Sequence, residues 1–249
     1  MIYAVIALLG LIFGSFMNVL IYRIPRGESI VSPASHCPKC NKKLSWYSNI
    51  PIVSFILQRG RCRNCGESIS IRYPIVELLT SLVFVLIFLQ SGGTVESIKY
   101  CVMAFLLMAA AFTDLFTSQD AENFPEGGVI PDIYSVGGVL IAYIWAFYDG
   151  NLYDSLAGSG TGVFILLIPA VLYQLIRKRE GLGLGDIFLM GMVGSFLGSY
   201  AVVWVLCAAS IIGLVIGFGV LLKTKERNYR LPFAPMIAAG SLLYIFMEL

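Results

Sequence analysis

Charge and histidine are what this chain has least of. Of its 249 residues, 13% are Asp, Glu, Lys or Arg, against about 25% in an average soluble domain. The net charge of +2 is too small to point to nucleic acid. There is one histidine, His36, and it abuts a cysteine. A zinc peptidase of the H-E-x-x-H kind is therefore excluded, and a Ser-His-Asp site has no histidine to spare. No glycine-rich nucleotide loop of Rossmann type is evident. No positive residue precedes the first apolar run, so that run lacks the pattern of a cleaved signal peptide. No internal repeat or low-complexity segment stands out.

What the chain has instead is apolar sequence. It is 58% hydrophobic with a mean hydropathy of +0.83. Continuous apolar runs lie near 2–22, 75–91, 98–115, 131–148, 155–176, 184–199, 201–222 and 232–248. They lack period-two alternation, so they read as helices and not barrel strands. The expected fold is an all-α polytopic membrane protein with about eight transmembrane helices and a small cytoplasmic, zinc-ribbon-like insert. With the N-terminus outside, sixteen of the seventeen Lys and Arg residues fall in inner loops or at inner ends, from Arg23 and Arg26 to Lys223–Arg230. Only Lys99 falls outside. That asymmetry sets the orientation. Glycines at 191, 194 and 198 and at 213, 217 and 219 have the spacing of close helix packing.

The insert, 27–73, is polar and too short for a core of its own, so a metal staple is expected. Cys37-Pro-Lys-Cys40 and Cys62-Arg-Asn-Cys65 are two C-x-x-C pairs separated by 21 residues. Each offers two thiolates from one tight turn, and together they complete a tetrahedral zinc site. Disulfides are the alternative, which a cytoplasmic face disfavours. Four thiolates leave no open position, so the zinc is structural. Lys39, Lys42, Lys43, Arg61 and Arg63 offset its negative charge. Cys101 and Cys207, alone in apolar runs, read as small buried hydrophobes.

Four carboxylates sit in or beside the spans: Glu77, Asp114, Asp132 and Asp186. All fall at the inner interface. Asp132 beside Pro131, and Glu77 and Asp186 near span starts, are explained by the helix macrodipole. Asp114 is not, because it closes a span, where the dipole disfavours an anion. Two aspartates held together share one proton and can activate water against a peptide carbonyl. Gly183 and Gly185, in Gly183-Leu184-Gly185-Asp186, let another backbone approach Asp186. The reading is a membrane aspartic peptidase using Asp114 and Asp186. A second reading is a cation transporter or channel with Asp114, Asp132 and Asp186 as ligands. It is weaker because transport sites lie near the bilayer midplane and at a repeat interface. A third is a scaffold whose cysteine insert docks a partner.

Several short stretches share an order. They are Phe13-Gly14-Ser15-Phe16-Met17-Asn18-Val19, Cys37–Cys40, Leu44-Ser45-Trp46-Tyr47-Ser48-Asn49-Ile50-Pro51, Cys62–Cys65, Ile69–Pro74 with Glu77, Asp114-Leu115, Ile130-Pro131-Asp132, Gly183–Asp186 and Pro232-Phe233-Ala234-Pro235. In this order they resemble the bacterial type IV prepilin peptidases, membrane aspartic proteases of the GxGD kind, over almost the whole chain. The resemblance implies removal of the basic leader from prepilins and pilin-like secretion subunits at the cytoplasmic face of the inner membrane. It also implies N-methylation of the new N-terminus, with S-adenosylmethionine as donor. Asp114 and Asp186 would be the catalytic pair, with Asp132, Gly183, Gly185 and Glu77 as possible support. The partners would be the prepilin and membrane lipid, with no nucleic acid. The chain would divide into a first transmembrane helix (1–26), the zinc-binding insert (27–73) and a seven-helix peptidase domain (74–249). Three features depart from the family pattern. Thirteen residues, Phe116 to Gly128, lengthen the stretch between Asp114 and Ile130-Pro131-Asp132, which leaves Asp120 as an alternative partner to Asp114. Phe188 stands where many members have lysine, and Ser81 where many have glycine. Asp120, Glu122 and Glu126 in that longer stretch are candidates to meet the basic leader.

Overall fold

The structure is a computed structural model that describes residues 1–37, 39–120, 122–125, 127–178, 181–224 and 231–249. Glu126, Arg179, Lys225, Arg227 and Arg230, named above, lie outside the described residues. The described elements are helical: α1 (Ile2–Arg23), α2 (Val53–Leu57), α3 (Arg72–Gln90), α4 (Val95–Gln119), α5 (Asp132–Tyr148), α6 (Leu152–Arg177), α7 (Leu184–Leu197), α8 (Ser199–Thr224) and α9 (Ala234–Glu248). They divide into two compact units, Met1–Cys101 and Val102–Leu249.

The expectation of eight spans is corrected. Among the described residues, five helices have the length and apolarity to cross a membrane: Ile2–Arg26, Arg72–Gln90, Val95–Gln119, Leu152–Arg177 and Ser199–Lys223. The runs that open at 131, 184 and 232 fold into the 17-, 14- and 15-residue helices α5, α7 and α9. At about 1.5 Å per residue, α7 is roughly 21 Å long, short of a hydrocarbon core of about 30 Å. Run length overstated helix length because Gly198 turns the chain at φ 85° just after Leu197. The described residues are thus all-α, with five helices able to cross a membrane.

The zinc-ribbon-like fold of the insert is corrected too. Among the described residues it has no strand, only the isolated bridges His36–Lys43 and Arg61–Ser68. Each C-x-x-C turn folds straight back on itself, and positive φ at Asn41 and Gly66 directly after the second cysteine stops any ladder from extending.

In the first unit α1 packs on α3 through the pair Gly10 and Gly14, four apart. A Cβ on Gly10 would lie 2.5 Å from the Ser81 Cα, and one on Gly14 2.6 Å from the Glu77 Cα. Two helix backbones can come this close only over glycine. Ser81 fills the rest and donates from its hydroxyl to the Ala7 carbonyl at 2.9 Å.

In the second unit α7 is the buried centre. It is apolar all round, and Ile187, Leu189, Met190, Met192 and Val193 are almost fully enclosed, as expected of a helix with no polar face. Gly158 on α6 and Gly194 on α7 face each other so closely that a Cβ on either would overlap the other's carbonyl oxygen. Gly162 meets the Met190 carbonyl, and Gly191 meets Val163. Ser155 on α6 donates to the Ser195 carbonyl on α7 at 2.7 Å. On its other side α7 presses Met192 against Gly138 of α5. The packing expected of Gly191 and Gly194 is present. Gly198 instead serves the turn, and Gly219 has open space around it.

Gly158→Val should therefore lower stability by about 3 kcal/mol or more, since backbone cannot yield as a side chain can. Gly160→Ala, two positions on with open space at its Cα, should change it by less than about 0.5 kcal/mol. Thermal melting of the purified chain in detergent reads both.

Candidate active site and metal cluster

The second unit brings together two of the candidate carboxylates. Asp114 lies on α4 and Asp186 in the first turn of α7; they are 5% and 9% exposed. They are close enough for their charges to interact. Among the described residues neither carboxylate has a Lys or Arg partner, and Asp186 Oδ1 is buried with no hydrogen-bond partner at all. A buried, unpaired carboxylate is costly and marks a place where function outweighs stability.

Asp114 does not end its helix, as the apolar pattern had implied. α4 continues to Gln119. Thr117 donates to the Thr113 carbonyl at 2.7 Å and Ser118 to the Leu115 carbonyl at 2.8 Å, so polar side chains carry the helix on. What compensates the anion comes from elsewhere in the chain. The Ala234 amide, first in α9, donates to Asp114 Oδ2 at 3.2 Å. A helix N-terminus carries partial positive charge and free amides, so it is a natural seat for a carboxylate. Pro235 at the next position brings no amide, which leaves the Ala234 amide as the one at hand.

The other side of Asp114 is covered by the segment leading into α5. Gly128 lies so close that a Cβ there would overlap Asp114 Oδ1. The Val129 amide donates to Thr117 Oγ1 at 2.8 Å, which ties this segment to the last turn of α4. Ile130 then rests on Gly185, where a Cβ would come within 2.8 Å of the Ile130 Cβ. Gly185 is therefore occupied by the chain's own Ile130. At Gly183, the residue before α7, a Cβ would meet Asp186 Oδ2 at an ordinary 3.5 Å. Thr113 also links Asp114's neighbourhood to α5 through a 3.5 Å contact with the buried Tyr134 hydroxyl.

The remaining candidates fall apart from this pair. Asp132 opens α5 exposed to solvent. Asp120 lies beyond α4, where Asn123 donates to both its oxygens at 2.9 and 3.0 Å. Glu122 is exposed. Glu77 belongs to the first unit, buried on α3, and accepts the Ile52 amide at 2.8 Å. Ala234, Gly128, Thr117 and Ile130 went unassigned in the sequence reading. Pro232 and Pro235 before an apolar run do signal a helix start, but they do not say which carboxylate it faces.

The four cysteines form a cluster able to hold a metal ion. The Sγ atoms of Cys37, Cys40, Cys62 and Cys65 all lie within 4.8 Å of one another, and those of Cys37 and Cys65 are 3.9 Å apart. The two halves are built alike. The Cys37 amide donates to the Lys42 carbonyl and the Asn41 amide to the Cys37 carbonyl; the Cys62 amide donates to Glu67 and the Gly66 amide to Cys62. The Cys62 thiol is held down to about 6, chiefly by the Cys65 backbone amide and then that of Asn64. A thiol so lowered is available as thiolate at neutral pH.

Comparison with known proteins places the chain among peptidases. The family profile of the bacterial peptidase A24 N-terminal domain matches residues 8–91. That of the type IV leader peptidase family matches residues 101–218. The prepilin leader peptidase/N-methyltransferase of Myxococcus xanthus is 39% identical over 224 residues, covering 89% of this chain and 64% of that protein. The chain thus spans just under two thirds of that relative's length. The protein of the same description from Aeromonas hydrophila is 30% identical over 95% of this chain and 87% of its own. The type 4 prepilin-like proteins leader peptide-processing enzyme of Escherichia coli is 31% identical over 96% of this chain and 91% of its own. No solved structure matches.

The purified chain should carry one metal ion held by the four thiols. Cys62→Ser should bring metal content, read by elemental analysis, down to background. Retention of a full equivalent by that variant would place the metal elsewhere.

Proposed function

The chain belongs to the type IV leader peptidase family, and on that premise we propose that Asp114 and Asp186 are the catalytic pair that cuts the leader from a prepilin-like substrate. The observation that carries this is the meeting of two buried, cation-free carboxylates on separate helices, one with an oxygen that has no partner. Two such acids share one proton. The ionised one takes a proton from water, and the water oxygen attacks the scissile carbonyl carbon. The other gives its proton to the carbonyl oxygen. The peptide C–N bond then breaks as its nitrogen takes a proton from the pair. The Ala234 amide holds Asp114 in place on one side and Gly128 leaves room for it on the other. Membrane lipid surrounds the exposed apolar faces of the long helices.

Asp114→Asn and Asp186→Asn should each lower single-turnover cleavage of a prepilin by on the order of 10⁴-fold or more, and the double variant should be no worse. Asp132→Asn should cost less than about tenfold, because asparagine also serves a helix start. Asp120→Asn should cost least. Thermal melting controls for folding. Cleavage at the parental rate by both Asp114→Asn and Asp186→Asn would end the aspartic mechanism. A dead Asp132→Asn beside an active Asp114→Asn would reassign the pair.

The orientation belongs to the same proposal. Arg23 and Arg26 follow α1, which puts the N-terminus outside and the cysteine insert in the cytoplasm. α3 then leads out and α4 back in, which brings the far end of α4 beyond Asp114 to the cytoplasmic side, where a basic leader waits. A reporter fused after Gly66 should read as cytoplasmic, and one at Gly92-Gly93 as external. The reverse result would turn both over.

The metal in the insert is zinc on this reading. Four thiolates at these spacings suit a tetrahedral ion with Zn–S of about 2.3 Å, and its role is structural. The relatives' descriptions also carry N-methyl transfer. We extend that to the chain, with S-adenosylmethionine supplying an electrophilic methyl group for the amine that cleavage frees.

A further inference from the structure

Thr117 makes one bond that its helix does not call for. It lies on α4, one turn past Asp114, and is 2% exposed. Its hydroxyl donates to the Thr113 carbonyl at 2.7 Å, the ordinary habit of a threonine inside a helix. A hydroxyl that has given its hydrogen can still accept. Thr117 Oγ1 accepts the Val129 amide at 2.8 Å, from 12 residues further along. Among the described residues no other hydrogen bond reaches the backbone of Gly128, Val129 or Ile130.

What those three residues touch gives that bond its reach. Gly128 lies against Asp114, where a Cβ would overlap Oδ1 and sit 2.9 Å from the Asp114 carbonyl oxygen. Ile130 lies against Gly185, the residue before Asp186, where a Cβ would come within 2.8 Å of its own Cβ. The segment is a strap with one carboxylate-bearing helix under each end. Gly127 turns the chain at φ 104° just before it, so no helix or strand holds it from behind. Gly128 and Val129 are exposed on its outer side. A segment with so few bonds opens easily when one is removed.

We infer that Thr117 is a positioning residue for leader cleavage: by taking the Val129 amide, its hydroxyl draws the strap across α4 and α7 and sets the separation of Asp114 and Asp186. This rests on those two aspartates being the catalytic pair and deepens that reading. Thr117 touches no reacting atom and moves no proton. Acids that work on one water must each lie within hydrogen-bond reach of it, and a displacement of about 1 Å can cost on the order of 10²-fold in rate. The chemical step feels the loss of the tie, and substrate binding does not.

Steady-state cleavage of a prepilin by the full-length chain in detergent separates the two. Thr117→Val keeps the shape of the side chain and removes the acceptor. It should lower kcat about 10- to 100-fold and leave KM within about twofold of the parent. Thr117→Ser restores the hydroxyl and should return kcat to within about threefold. Ser118→Ala removes the neighbouring hydroxyl, which bonds within α4, and should leave kcat unchanged. Ile130→Ala loosens the other end of the strap. It should lower kcat as Thr117→Val does, and the double variant should be no slower than the slower single one, because one strap fails at either end. Thermal melting checks each chain, and Ile130→Ala carries the test if Thr117→Val does not fold. Parental kcat in the folded variants, a raised KM with kcat unchanged, a serine variant as slow as the valine one, or additive losses in the double would each overturn the positioning role. Parental cleavage by both Asp114→Asn and Asp186→Asn would instead remove the pair itself, so the two failures are told apart.

Discussion

A carboxylate taken out of water must find donors or a function, and the second unit is arranged around two that, among the described residues, lack a counter-ion. Among the described residues Asp114 has one donor, the amide that starts α9, 120 residues further along the chain. That bond fixes where α9 begins relative to α4. Asp186 is held as thinly. The Gly183 backbone bonds to its carboxylate and the first turn of α7 offers the field of the helix, but among the described residues Oδ1 has no donor. A buried oxygen left in this state calls for an explanation, and the proposed reaction, in which water would use it, offers one.

Holding two such groups together needs rigid neighbours, and glycine supplies them here. α7 carries no polar face to orient it. Its angle comes from backbone-to-backbone contact with α6 at Gly158 and Gly194 and from Gly138 of α5 beneath Met192. The segment Gly128-Val129-Ile130 adds a second fix. Gly128 faces Asp114, Val129 is bonded to Thr117, and Ile130 rests on Gly185. Three consecutive residues thus span from α4 to α7. The lengthened stretch ends at the first of them, Gly128, and the tie at Val129 follows it directly.

Much of this was legible in the sequence, for reasons that differ by residue. Asp114 and Asp186 stand out because an acid at the edge of an apolar run is expensive. The cysteine pairs stand out because their spacing has few other uses. The number of spans was overcounted because hydrophobicity reports burial in lipid and burial in protein alike, and α7 is of the second kind. The ribbon was misjudged because C-x-x-C spacing fixes a knuckle but not the strands around it. The likeness of the two knuckles lies in backbone bonds and not in shared side chains. Gly10 and Gly14 carried a readable close-packing signal that was passed over. The Ala234 amide carried none, since a main-chain donor looks the same at every position in a sequence.

The shortness of α7 bears on how a hydrolase obtains its second substrate. Every bond cut consumes one water, and the hydrocarbon interior holds almost none. A helix of 14 residues, roughly 21 Å long in a layer of about 30 Å, leaves a step of several ångströms at its ends. Solvent entering at that step has a short dry path to a carboxylate carried in the helix's first turn. Were Asp186 to serve as proposed, that step would be its route to water.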